Sequence, residues 1–138
     1  MNLMIKGAVL AGLLAGGIAL ANAEDVAVKL SGDQEVPAVK TSASGAGKIT
    51  VGADKSVSGK ITTKGIEGTM AHIHQGPAPG KNGPPIITLE KGADGSWTVP
   101  AGSKLTDAQY DAFKAGDLYV NVHSAEHKGG EIRAELKP

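Results

Sequence analysis

Asp117–Leu136, DLYVNVHSAEHKGGEIRAEL, decides the fold class. Successive side chains of an extended chain point to opposite faces. Leu118, Val120 and Val122 therefore share one face, and Tyr119, Asn121 and His123 the other. After a turn at Gly129–Gly130 the same period returns, with Ile132, Ala134 and Leu136 opposing Glu131, Arg133 and Glu135. Two clean alternations of this kind predict half-buried strands rather than helices. Glu131 and Arg133, on one face, are expected to form a cross-strand pair.

Upstream, Leu105–Gly116 carries the one helical signature. Thr106 and Gln109 form a T-x-x-Q capping box, Leu105 and Tyr110 stand at staple positions, Tyr110 and Phe113 face the core, and Gly116 ends the helix. Further short strands are expected at Val26–Leu30, Lys48–Val51, Val57–Thr63, the run after Thr69, Ile86–Leu89 and Trp97–Val99. The GADKS loop between the second and third of these makes the clearest hairpin. Pro37 suits only an edge or a strand start, and TSASGAG at 41–47 reads as small and flexible. About eight short strands and one helical crossover predict an all-β fold, an antiparallel β-sandwich or small Greek-key barrel.

Residues 1–23 read as a secretory signal peptide: Lys6 precedes an apolar run from Gly7 to Leu20, and Ala21 and Ala23 complete an A-x-A cleavage site. The run is short for a membrane span. Cleavage after Ala23 would leave one domain, 24–138, placed in the periplasm or secreted and free of the membrane. A chain of that size buries roughly two thirds of its unfolded surface, enough for one core. The sequence has no cysteine, which excludes disulfides, thiolate metal sites and a cysteine nucleophile. With 14 basic and 14 acidic residues and no basic run, nucleic acid is not an expected partner.

Four histidines occur, all in two segments. His72 and His74 share a strand face with Met70 in TMAHIHQGPAPGKNGPP, 69–85, and His123 and His127 fall in the later stretch. Two imidazoles at i and i+2 on a strand, joined by a third from a neighbouring strand, suit Cu²⁺ or Zn²⁺, with copper favoured by intrinsic affinity. His72, His74 and His123 are the expected ligands. His127 is a candidate fourth ligand or supporting contact, Glu126 an oxygen alternative, and Met70 a thioether that would favour Cu⁺. Asn121 or Tyr119 is placed to orient a ligating imidazole. Strand histidines also serve as plain hydrogen-bonding groups, and a lone methionine as core filler. Gly76, Gly80 and Gly83 are expected to need positive φ in their loop. Ser124 adjoins His123 but points to the opposite face, which argues against a hydrolytic pair.

SGDQEVPAV at 31–39, AHIHQGPAPGKNGPPI at 71–86 and LTDAQYDAFKAGDLYVNVHSAEHKGGEIRAEL at 105–136 resemble the CHRD (chordin-type) domain, in its order and spacing. The resemblance implies an immunoglobulin-like β-sandwich and leaves activity open. The HxH strand is similar to that of Cu/Zn superoxide dismutases. Those enzymes use six histidines, an aspartate and a disulfide, which this chain cannot supply. Three functions follow as expectations: non-catalytic binding or carriage of a metal ion, a metal-free protein-interaction module, and a superoxide dismutase-like copper enzyme. The first leads.

Overall fold

The computed structural model describes residues 23–138. The expected leader falls, except for Ala23, outside the described residues. Nine strands form one antiparallel sheet: β1 (Glu24–Ser31), β2 (Ser44–Val51), β3 (Val57–Lys64), β4 (Gly68–Gln75), β5 (Pro85–Thr88), β6 (Glu90–Lys91), β7 (Ser96–Thr98), β8 (Leu118–Ser124) and β9 (Ile132–Glu135). Their spatial order is β5-β4-β8-β9-β1-β2-β3-β7-β6. The all-β expectation holds, although the layers are one curved sheet whose edges nearly meet.

That near-closure comes from a single extended segment. β5 pairs with β4 at one edge, and β6, only one residue further on, pairs with β7 at the other. Leu89 donates its N–H to the Ala71 carbonyl and so prolongs the β4–β5 ladder, and the Lys91 ammonium on β6 donates to the Gly68 carbonyl of β4, a contact across the seam. Sharing one segment between both edges occupies backbone groups that an open edge would expose.

Inside the curve lie Leu30, Ile49, Ile61, Ile73, Val120, Val122 and Ile132, all nearly inaccessible. They are the inward positions of the alternations read in the sequence. The β2–β3 hairpin forms in the expected place, with Val51 opposite Val57. The strand extends into the glycine-rich stretch thought flexible, because β2 starts at Ser44. A Cβ at Gly47 would overlap the Lys60 carbonyl, so glycine there permits close strand approach rather than freedom.

The helix α1 (Asp107–Ala115) links β7 to β8, strands that are not neighbours, and so is a crossover. Thr106 Oγ1 accepts from the Gln109 N–H, and the Gln109 side chain accepts from the Thr106 N–H. Both halves of the capping box are made. Gly116 ends the helix at φ 84°, and Phe113 reaches the core with no exposed surface. Phe113→Ala should cost about 3–5 kcal/mol by leaving a cavity, and Thr106→Ala about 1 kcal/mol by freeing a helix N–H, both read by urea denaturation.

Candidate metal centre

Register builds the site. β4 and β8 run antiparallel with Met70 opposite His123, His72 opposite Asn121 and His74 opposite Tyr119. β9 continues two rows, with Arg133 opposite Asn121 and Glu135 opposite Tyr119. The outer face of these three strands therefore carries a patch of polar and aromatic side chains. Period-two alternation alone would leave such a face wet. Here it is covered: every residue of β8 is buried, and Arg133 has no exposed surface.

His72, His74 and His123 come together, each less than a tenth exposed, with one ring nitrogen from each within 4.8 Å of the others. His72 Nδ1 and His123 Nε2 are 3.1 Å apart. His123 Nδ1 donates to the Lys128 carbonyl at 2.8 Å, which leaves its Nε2 as the lone-pair nitrogen and aims it at His72. His74 Nδ1 donates to the Gly83 carbonyl at 2.9 Å, and its Nε2 lies 2.8 Å from the Asn121 side-chain amide. Carbonyl oxygens only accept, so each of these contacts selects a tautomer.

Burial lowers the pKa of His72, and the neighbouring His123 and His74 lower it further. Burial also lowers that of His74, against the opposing hydrogen bonds to Gly83 and Asn121. Neutral imidazole is the favoured form. A neutral His74 has a single N–H for two facing acceptors, the Gly83 carbonyl and Asn121 Oδ1, while the Asn121 NH₂ group donates to Glu35 and to the Gly129 carbonyl. The Glu35 carboxyl, at 3.4 Å, is pushed up to about 7 by burial, with the Asn121 contact opposing. The Asn121 amide links Glu35 to His74, with its NH₂ donating to Glu35 and its oxygen facing His74.

The guanidinium of Arg133 lies 3.5 Å over the centre of the Tyr119 ring, and Tyr119 stacks on His74 with ring centroids 4.7 Å apart and planes 2° from parallel. Arg133 pairs with Glu135 on its own strand at 2.9 Å, not with Glu131 as its position suggested. Two residues apart on β9, both side chains lie on one face beneath the loop, whereas Glu131 is held by Thr41 and Ser124. Arg133 also donates to the Asn82 side chain at 2.7 Å, and the Gly80 N–H donates to Glu135. The Tyr119 hydroxyl meets both the N–H and the carbonyl of Gly83. Residues 76–84 are thus fastened over the histidines.

Of the three loop glycines expected at positive φ, Gly80 alone has it, at 75°. Gly76 and Gly83 are required by contact: a Cβ would overlap the carbonyls of Lys81 and Gln75 respectively. Met70 lies on the histidine face but is 50 % exposed. It lines, with Thr69, His72, His123 and Lys128, an outward cavity of about 450 Å³. His127 is not grouped with the other histidines; it lies beside Glu126 and Glu131. Sequence reasoning missed Glu35 and the carbonyls of Gly83 and Lys128. Glu35 lies far from β8 along the chain, and backbone acceptors leave no mark on residue type.

These features define an all-β domain of one nearly closed antiparallel sheet with a histidine cluster roofed by a proline-rich loop. Residues 26–136 match the CHRD domain, and the chain belongs to that family. No curated protein and no solved structure matches it. Among the described residues no helix is long and apolar enough to cross a membrane.

Glu35 gives a pH test with a definite sign. Its carboxyl titrates near 4.5 when unfolded and near 7 when folded. Between those values the folded state holds the extra proton, so its contribution to stability is full at low pH and is lost as pH rises through about 7. Glu35→Gln, which mimics the protonated form, should gain stability relative to the parent from pH 5 to pH 8, as measured by urea midpoints. The two histidines act in both proteins alike: their lowered values make each less stable as pH falls below about 6.5.

Proposed function

We propose that this exported CHRD-domain protein binds a transition-metal ion, copper in preference to zinc, through His72, His74 and His123, and that it sequesters or carries the ion without turning over a substrate. The observation that carries the reading is the convergence of three buried imidazoles from two adjacent strands within 4.8 Å. The 3.1 Å between His72 Nδ1 and His123 Nε2 is close to the roughly 3.3 Å that two nitrogens take at about 2.0 Å from one tetrahedral ion. Depressed imidazole pKa values support it as well, because the neutral ring is the ligand. His74 joins by exchanging its Asn121 contact for the ion. Export rests on the leader-like residues 1–23.

A superoxide dismutase-like copper enzyme is the weaker reading, since four histidines and no cysteine do not build that two-metal, disulfide-bearing site. A metal-free interaction module is the other; the exposed apolar side chains of Val36 and Met70 favour it. Titration of residues 24–138 with Cu²⁺, Cu⁺ and Zn²⁺ separates the readings. One copper with nitrogen coupling in its electron paramagnetic resonance spectrum is expected. His72→Ala or His123→Ala should weaken binding by more than the roughly 10–100-fold expected for removing an orienting partner such as Asn121. Full retention of binding in His72→Ala/His123→Ala, or none in the parent, would leave the interaction module as the function.

A further inference from the structure

We infer that the loop between β8 and β9 holds a second divalent-cation site, formed by Glu126, His127 and Glu131, with one nitrogen and two carboxylate oxygens as donors. One ligand atom from each lies within 4.8 Å of the other two. Glu126 is exposed and His127 half-buried, which on their own would mean little. Glu131 is different, being only 6 % exposed.

Two hydroxyls hold the Glu131 carboxyl in place. Ser124 Oγ accepts from the His127 N–H at 3.2 Å and donates to Glu131 Oε1 at 2.7 Å. Thr41 Oγ1 accepts from the Ala43 N–H and donates to Glu131 Oε2 at 2.7 Å. Both oxygens therefore act as acceptors, and each keeps a second lone pair. The ion pairs among the described residues are Lys48–Asp25, Lys55–Asp107, Lys114–Asp111 and Arg133–Glu135. None involves Glu131. A buried carboxylate is ordinarily matched by a cation or a metal, and this one has neutral donors alone.

The surroundings suit a cation. Glu126 and Glu131 line a cleft of about 560 Å³ together with Glu67. Lys91, its one basic residue, is turned aside, with its ammonium on the Gly68 carbonyl and 5.7 Å over the Trp97 ring. Imidazole with two carboxylates is a harder donor set than three imidazoles, and it suits Zn²⁺ or Mn²⁺ with positions left for water. Ser124, which touches both His127 and Glu131, is a positioning residue for the site. The site stands apart from the three-histidine cluster and does not depend on it.

Isothermal titration with Zn²⁺ tests this in two backgrounds. In the full-length protein, Glu126→Gln/His127→Ala should remove one zinc equivalent, or weaken it at least about tenfold, while leaving the urea midpoint unchanged, because neither side chain belongs to the core. In His72→Ala/His74→Ala/His123→Ala one zinc equivalent should persist and disappear on adding His127→Ala. If the three-histidine cluster takes no zinc, the parent binds one equivalent and the double variant none, which sustains this site and leaves the cluster to be decided by the copper titration. Zinc stoichiometry and affinity unchanged in Glu126→Gln/His127→Ala would overturn the proposal. That double variant decides even if the triple variant does not fold.

Discussion

A guanidinium with no exposed surface sits on the outer face of the sheet, and much of the surrounding structure answers to it. Arg133 cannot lose its charge, and an unpaired buried cation is costly. The ion pair with Glu135 and the donors to Asn82 and Lys81 answer that charge, and the Tyr119 ring adds a favourable face. Each partner except Tyr119 and Glu135 lies in the loop of residues 76–84. Satisfying Arg133 therefore means fastening that loop, and the fastened loop dries the histidines. Whether the ion pair adds stability is secondary, because such pairs roughly offset their own desolvation. What it secures is a path for a loop whose prolines and glycines would otherwise allow several.

Beneath that roof, desolvation and hydrogen bonding act on the imidazoles in opposite directions, and desolvation is the larger for His74. Burial favours neutral His72 and His74, and the Gly83 and Lys128 carbonyls orient His74 and His123. Neutral rings held close together are the state a metal ion needs before it arrives. The same burial raises Glu35, so a carboxyl that would ordinarily be charged at pH 6 is held largely protonated. One dry pocket thus sets the protonation of an acid and of bases without any formal charge among them.

The core is simpler. Its inward positions come from strict alternation, and the seam is closed by a segment that pairs in turn with both edges of the sheet. Strands β4 and β8, which carry the histidines, lie beside that seam at the β5 end of the order. Their relative register is held on one side by β5 and on the other by β9, so the ring separations are properties of the whole sheet rather than of a local loop.

From the sequence by itself came the all-β class, the β2–β3 hairpin, the capped helix and its glycine stop, and the placing of His72 and His74 on one strand face. These are local matters: period two, turn chemistry and a four-residue cap are complete within a few residues of chain. The sequence by itself also bounded the chemistry, since without cysteine every metal donor must be nitrogen, oxygen or thioether. It did not show that this face is buried, that Arg133 serves Glu135 and the loop, that Glu35 reaches Asn121, or that His127 joins Glu126 and Glu131. Each of those depends on residues brought together from distant parts of the chain and on backbone carbonyls, which every residue possesses. Only tertiary structure decides which of them lie close and dry enough to set a proton or hold an ion.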